Sequence, residues 1–173
     1  MPYRIAVLCY LFDERGRLLL LHRRKEPNCG LYSPIGGKLE MDLGESPAAC
    51  ALREIREEVL LDLDYSDIHL TGLVSETAFQ GQTHWLIFIY EVVRPVQVQR
   101  TDFEEGTLEW HEFDTVERHL NVPETDRRII YPLFRQYRGR FFHVHIDCTD
   151  GQYAWRLEYP RPDSHSHRRT SAR

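Results

Sequence analysis

Apolar residues along the chain fall into short runs separated by turn-forming residues, a pattern typical of strands joined by hairpins. Turn signals at 13–16, 80–82 and 149–151 predict three hairpins. The runs that flank these turns, and one more short run, predict strands at 3–12, 18–23, 68–79, 84–93, 108–113, 141–147 and 152–158.

Some of the segments between these strands show the apolar periodicity of helices. Ser46 and Pro47 form a helix start, with serine as the N-cap and proline at the first helical position. This helix is predicted to run to about Leu61 and to bury one apolar stripe, formed by Ala48, Ala51, Leu52, Ile55 and Val59. A short helix at 114–119 and a longer one at 124–137 complete a mixed α/β pattern.

A second flank of the first helix carries Glu54, Glu57 and Glu58, which stand at i, i+3 and i+4. Like charges at this spacing cost a few tenths of a kcal/mol per pair, so a compensating group is expected. A hard divalent cation such as Mg²⁺ is one candidate, because it prefers oxygen ligands. The alternative is an ordinary solvated helix face on which Arg53 and Arg56 form ion pairs.

Before this helix lies a glycine loop, defined here as Gly36, Gly37 and Lys38. Glu45 follows it, just before the helix N-terminus. Glycines let the backbone approach a ligand closely, and Lys38 adds a cation beside them. A glycine loop, an acid and then a ridge of carboxylates is a layout suited to a diphosphate and a metal ion. A solvated loop lysine remains the alternative for Lys38.

The stretch resembles the Nudix box, the signature of the Nudix hydrolases, written G-x5-E-x7-R-E-U-x-E-E-x-G-U with U a bulky aliphatic residue. The matching positions in this chain are Gly37, Glu45, Arg53, Glu54, Ile55, Glu57, Glu58, Val59 and Leu61. The segment between Gly37 and Glu45 has seven residues instead of five, and Leu60 replaces the glycine after the helix. The second departure puts the usual left-handed helix cap in doubt.

The resemblance implies a Nudix fold, in which a mixed β-sheet is sandwiched between α-helices. It covers residues 1–137, and the last hairpin, within 138–158, is an addition to it. We therefore expect a single domain at 1–158. Residues 159–173, with two prolines, three serines and four arginines, are expected to form a disordered tail.

The resemblance also implies a function: hydrolysis of a nucleoside diphosphate linked to another group, with Mg²⁺ as cofactor and Mn²⁺ as an alternative ion. Within the box it implies Glu54, Glu57, Glu58 and the backbone of Gly37 as metal ligands. Arg53 would orient the carboxylates, and Gly36, Gly37 and Lys38 would contact the substrate.

The family often adds a further glutamate, as ligand or general base, from a loop before a strand tryptophan. Here Glu104 and Glu105 stand on such a loop, while Glu109 is expected on the outward face of the strand, beside Trp110. Which loop glutamate serves stays open, and so does the alternative of a solvated acidic loop.

The substrate is the least determined property. The approach 30–34 to the glycine loop resembles members that cleanse oxidised nucleoside triphosphates, which favours that substrate class. The alternatives are ADP-ribose or another nucleotide sugar, and a non-catalytic Nudix-like sensor. Sensors tend to lose box carboxylates, whereas this chain keeps them.

Composition narrows the class of partner. A net charge of −5 argues against a dedicated nucleic-acid interface, so a small nucleotide is the expected partner. No apolar run is long enough for a membrane span, and no secretory leader is recognisable. The four scattered cysteines suit a reducing, cytoplasmic location. A homodimer is compatible with the sequence.

Overall fold

A computed structural model describes residues 2–26, 28–118, 120–149 and 151–161. The strands are β1 (Tyr3–Tyr10), β2 (Leu18–Arg23), β3 (Tyr32–Ser33), β4 (Ile68–Phe79), β5 (Thr83–Val92), β6 (Asp102–Phe103), β7 (Gly106–His111), β8 (Phe142–Asp147) and β9 (Ala154–Tyr159). The α-helices are α1 (Pro47–Val59), α2 (Phe113–Arg118) and α3 (Tyr131–Tyr137). A π-helical segment, Asp126–Ile130, leads directly into α3, and short 3₁₀ turns occupy Met41–Leu43 and Tyr65–Asp67.

The strands form two sheets. The larger has the order β1-β5-β4-β8-β9 and is mixed, because β1 pairs with β5 and β4 with β8 in parallel while the other two pairs are antiparallel. The smaller sheet, with the order β3-β2-β7-β6, is antiparallel throughout.

The second half of β1 is covered on both faces of the larger sheet, which explains why it reads as a continuous apolar run. Val7 and Cys9 pack with α1 in one core cluster, and Tyr10 packs with α2 and α3 in the other. The mixed sheet therefore lies between helices, and the predicted α/β fold class is confirmed.

Local sequence explains the ends of α1. The Ser46 hydroxyl accepts a hydrogen bond from the Ala49 N–H at 3.2 Å, and Pro47 occupies the first turn. The helix ends at Leu60, whose φ of 60° is left-handed. The left-handed cap thus forms although a leucine stands where glycine is usual.

The first predicted hairpin forms a turn but does not continue as a paired ladder. Asp13 O accepts from Gly16 N–H at 2.9 Å, yet β1 and β2 belong to different sheets. The free edge of β1 is taken instead by the glycine loop region: Val7 N–H donates to Gly37 O and Cys9 N–H to Ile35 O, both at 2.8 Å. A strand edge can pair only once, so β2 diverges.

The C-terminal hairpin, β8 and β9, extends the larger sheet through parallel pairing of β8 with β4. Tyr159, placed at the start of the predicted tail, is the last residue of β9. Residues 162–173 lie outside the described residues, so disorder of the tail stays a prediction. No helix in the described part of the chain has the length and apolar character needed to cross a bilayer.

Candidate active site

The glycine loop packs tightly between β1 and α1. Gly36 has a φ of 143°, and a Cβ there would lie 2.2 Å from Val7 O. A Cβ on Gly37 would lie 2.2 Å from Glu54 Oε1. Glycine at position 36 therefore lets the loop backbone approach β1, and glycine at position 37 lets it approach the Glu54 carboxylate.

Glu54 and Glu58, hereafter the helix carboxylates, are held against this loop. The Glu58 side chain accepts a hydrogen bond from the Gly36 N–H at 3.2 Å, and the residue is only 5% exposed. Burial, and after it the neighbouring Glu54 carboxylate, raises the pKa of Glu58 to about 8. Burial also raises the pKa of Glu54, although Arg53 opposes that shift.

Arg53 joins the helix to the loop before it. Its Nε and Nη2 donate to the two carboxylate oxygens of Glu45 at 2.8 and 3.0 Å, a bidentate pair. Its Nη1 donates to Glu54 Oε1 at 2.8 Å, and Nη2 also reaches Lys38 O at 3.2 Å. The hydrogen bonds from Arg53 lower the pKa of Glu45 to about 2. Arg53 thus fixes the orientation of Glu54.

Glu57 is placed differently from its two neighbours. Its exposed side chain accepts from Arg53 Nη1 at 3.3 Å and does not line the cavity that Glu54 and Glu58 face. No three side chains of His, Cys, Asp or Glu converge as a ready-made metal site among the described residues. Of the three predicted metal-ligating side chains, the structure brings together Glu54 and Glu58.

The donor set of the helix carboxylates fits a hard divalent cation. The buried Glu58 carboxyl group lies beside the partly buried Glu54, and placing two anions together there without a counter-charge is unfavourable. Their oxygens are the ligand type that Mg²⁺ and Mn²⁺ accept. The carbonyl of Gly37, the other predicted ligand, accepts from Val7 N–H at 2.8 Å and weakly from the Cys50 thiol at 4.0 Å.

The three downstream glutamates are clearly separated in space. Glu105 lines the same cavity as the helix carboxylates. Its Oε2 atom lies 3.8 Å from Arg23 Nη2. The Glu104 side chain is 85% exposed and pairs with Lys25. Glu109 accepts from the Tyr32 hydroxyl at 3.1 Å, away from that cavity. Among the three, only Glu105 is near the helix carboxylates.

A cavity of about 830 Å³ opens beside these residues, which is in the size range of sites for small ligands. Lys38 lies on its lining near the glycine loop. The cavity also contains Glu76 and Asp126, which sequence reasoning did not single out. The alternation of β4 could have placed Glu76 on the inner face, but the position of Asp126 depends on tertiary packing.

A family model described as the NUDIX domain matches residues 2–134, which include the glycine loop, α1 and the Glu105 loop. The chain belongs to the Nudix family. The resemblance seen in the sequence is thereby confirmed.

Individual relatives agree with this assignment. The chain is 32% identical over 105 residues to an RNA pyrophosphohydrolase from Gluconobacter oxydans, covering 53% of this chain and 59% of that one. It spans about half the length of the curated relatives it matches. Among solved structures, a mutator MutT protein from Bacillus halodurans has a TM-score of 0.73 at 25% identity, covering 92% of this Nudix chain and 99% of that chain.

A third similar protein was solved with a ligand. The NUDIX domain of NrtR from Shewanella oneidensis, complexed with ADP ribose, has a TM-score of 0.64 at 18% identity, over 79% of this chain and 88% of that chain. At this level of identity the similarity concerns the fold.

Proposed function

We propose that this Nudix protein is a hydrolase that requires Mg²⁺, or Mn²⁺ in its place, and cleaves a diphosphate linkage in a nucleotide. One observation carries the proposal: the buried carboxylate of Glu58 and the partly buried carboxylate of Glu54 face a cavity beside a tightly packed glycine loop. An arginine that is bidentate on Glu45 orients the first of them. Nudix-like sensor domains tend to lose box carboxylates, whereas this chain keeps Glu54, Glu57 and Glu58.

Glu54 and Glu58 would hold the cation, with Glu57, Glu105 and the Gly37 carbonyl as the remaining candidate ligands. When bound, the ion supplies charge neutralisation for the phosphates and lowers the pKa of a bound water. Arg53 keeps Glu54 in one orientation, which limits the rearrangement needed during the reaction.

Other cavity residues would act on the substrate and on water. Lys38 and Arg23 bring positive charge to the cavity and would contact phosphate oxygens. Glu105, on the loop between β6 and β7, would accept a proton from the attacking water, since it lines the cavity with the helix carboxylates. Hydrolysis then breaks one phosphoanhydride bond, and water supplies the oxygen to the attacked phosphorus.

We propose nucleoside triphosphates, including oxidised ones, as the substrate class. The approach to the glycine loop, residues 30–34, supports this choice. The name RNA pyrophosphohydrolase of one similar protein supports cleavage of a diphosphate linkage. ADP-ribose is the second candidate, because the NUDIX domain of NrtR was solved with that ligand.

The experiment is a product assay over a panel of nucleotides: the common and 8-oxo nucleoside triphosphates, ADP-ribose, a nucleotide sugar and 5′-triphosphorylated RNA. We expect diphosphate cleavage of a nucleoside triphosphate with Mg²⁺ or Mn²⁺ and none with excess EDTA. Preferential cleavage of ADP-ribose would move the assignment to the second candidate. No cleavage of any compound with either metal would contradict the proposed activity.

A further inference from the structure

Arg100 lies on the connection between β5 and β6 and contacts both elements that carry the proposed catalytic groups. Its Nη1 donates to the backbone carbonyl oxygen of Glu57 at 2.7 Å and to that of Glu58 at 3.3 Å. Its guanidinium carbon also lies 4.7 Å from the ring centre of Phe103, the last residue of β6. Arg100 does not line the cavity, and the proposed hydrolysis gives it no role.

The contact with α1 is made at the helix C-terminus, where backbone carbonyls lack partners within the helix. Glu57 and Glu58 are two of the last three residues of α1, and Arg100 binds both of their carbonyl groups. A cation is favourable there, because the helix dipole places partial negative charge at this end. Arg100 therefore holds the backbone of the turn from which the Glu58 side chain enters the site.

On its other side, Arg100 covers the base of a short hairpin formed by β6 and β7, hereafter the Glu105 hairpin. Phe103 pairs with Gly106, so Glu104 and Glu105 are the two residues of the turn. An arginine placed over an aromatic ring is attracted to its face. Because the turn is only two residues long, the position of Phe103 closely determines where the Glu105 side chain can reach.

The Glu105 hairpin is also anchored to β2, but that anchor does not involve α1. The Arg24 N–H donates to the Glu105 carbonyl oxygen at 2.8 Å, and the Arg24 side chain pairs with Asp102. These contacts fix the hairpin to the smaller sheet, whereas the helix carboxylates stand on a helix that contacts β1 and β5 of the larger one. Arg100 adds a direct connection between the hairpin and that helix.

The separation of Glu105 from the helix carboxylates matters for the proposed chemistry. Glu105 lines the same cavity, and its charge adds to burial and to the Glu54 charge in raising the pKa of Glu58. A general base has to lie within hydrogen-bond reach of the water that it activates, about 2.6–3.2 Å. A misplacement of about 1 Å can cost on the order of 100-fold in rate. Contacts that fix the Glu105 hairpin relative to α1 therefore bear on turnover.

We infer that Arg100 positions Glu105 against the helix carboxylates, by tying the C-terminus of α1 to the Glu105 hairpin. It is a positioning residue, because it acts through Phe103 and the helix backbone and does not reach the cavity. The kinetic consequences of the inference rest on the proposed function, since they take Glu105 as the base. The docking of the hairpin on α1 does not depend on activity.

The kinetic test is a double-mutant cycle of Arg100→Gln and Glu105→Gln with the nucleotide of the panel that is cleaved best. Glutamine is shorter and uncharged, so Arg100→Gln should lower kcat at least about tenfold while KM changes less than about threefold. Added to Glu105→Gln, it should cause less than about twofold further loss, because a residue that acts through Glu105 then has nothing to position. Losses that multiply in the double variant, or wild-type kcat in Arg100→Gln, would overturn the inference.

Two further variants separate positioning from a general effect on the fold. Arg100→Lys keeps a cation that can bind the helix carbonyls and cover the ring, so it should retain kcat within about threefold. Arg94→Gln is the matched control, because Arg94 lies on the same connection but pairs with Asp67. It should match wild type. A loss in Arg94→Gln as large as that in Arg100→Gln would show that any disturbance of the connection suffices, and would refute the specific role of Arg100.

Hydrogen exchange tests the docking without turnover. The Leu108 N–H donates to Thr101 O at 2.9 Å, so exchange over residues 101–108 reports on the Glu105 hairpin. Arg100→Gln should raise exchange there at least about tenfold and leave α3 unchanged. If wild type cleaves no nucleotide but this difference is found, the proposed activity falls and the docking role of Arg100 stands.

Unchanged exchange over residues 101–108 in Arg100→Gln would overturn the inference whatever the activity. If Arg100→Gln does not fold, Phe103→Leu takes its place in both measurements, because it removes the ring that Arg100 covers and keeps an apolar side chain. The expected results and the contradicting results are then the same.

Discussion

At the scale of single residues, the limits of prediction from sequence are clearest for three glutamates of α1: Glu54, Glu57 and Glu58. With a step of about 100° per residue, Glu58 lies about 40° from Glu54 around the helix, on the side nearest the buried stripe. Glu57 lies about 60° away on the opposite side, where it is exposed and contacts Arg53. The pattern therefore predicted a carboxylate ridge, but the burial of its members depends on where the helix packs.

The choice between the loop glutamates could not be made from sequence, because both stand within two residues of Gly106. In the structure, Lys25 pairs with Glu104 outside the cavity, and Glu105 lines the cavity. The difference comes from residues about 80 positions away along the chain, which local patterns do not report.

The first prediction concerns these two residues. Glu105→Gln should lower kcat on the order of 100-fold and change KM only a few-fold, because a general base acts mainly in the transition state. Glu104→Gln and Glu109→Gln should stay within a few-fold of wild type. Steady-state kinetics with the best nucleotide of the panel measures this. A silent Glu105→Gln together with a large loss in Glu104→Gln would reverse the assignment.

At the scale of elements, the serine cap, the first-turn proline and the apolar stripe predicted α1 almost to its ends. The prediction of the first hairpin was only partly correct. Its turn is formed by residues that are adjacent along the chain, whereas the strand that pairs with β1 is distant in sequence. Pairing of β1 with β5 joins residues about 80 positions apart, and it leaves one edge of β1 for the glycine loop. That long-range pairing is what positions the loop against Glu54.

Leu60 gives a prediction about α1 itself. A left-handed conformation costs a non-glycine residue roughly 1–2 kcal/mol, and the Leu60 side chain is largely exposed. Leu60→Gly should therefore raise the free energy of unfolding by about 1 kcal/mol, measured by urea denaturation. Leu60→Ala removes the side chain but keeps the strain, so it should give no such gain. Equal stabilisation by both variants would show that the backbone conformation is not the cause.

At the scale of the whole molecule, the sequence predicted the fold class and one end of the cavity. The box supplied that end because its residues are close together along the chain and lie on one loop and one helix. The other end is built from β4 and the π-helical segment, which are about 50 residues apart. Only packing of the π-helical segment against the larger sheet, of which β4 is a strand, brings Asp126 near Glu76.

The most direct measurement compares the turnover of wild type and Glu58→Gln, with Mg²⁺ and with EDTA, on the preferred nucleotide. Glu58→Gln should lower kcat at least about 100-fold, on the order of 3 kcal/mol in activation free energy. Its melting temperature should not fall, because glutamine has nearly the same shape and its side-chain oxygen can still accept the hydrogen bond from the Gly36 N–H. Wild type in EDTA should be inactive. Wild-type turnover by Glu58→Gln, or undiminished activity in EDTA, would contradict metal-dependent hydrolysis at the helix carboxylates.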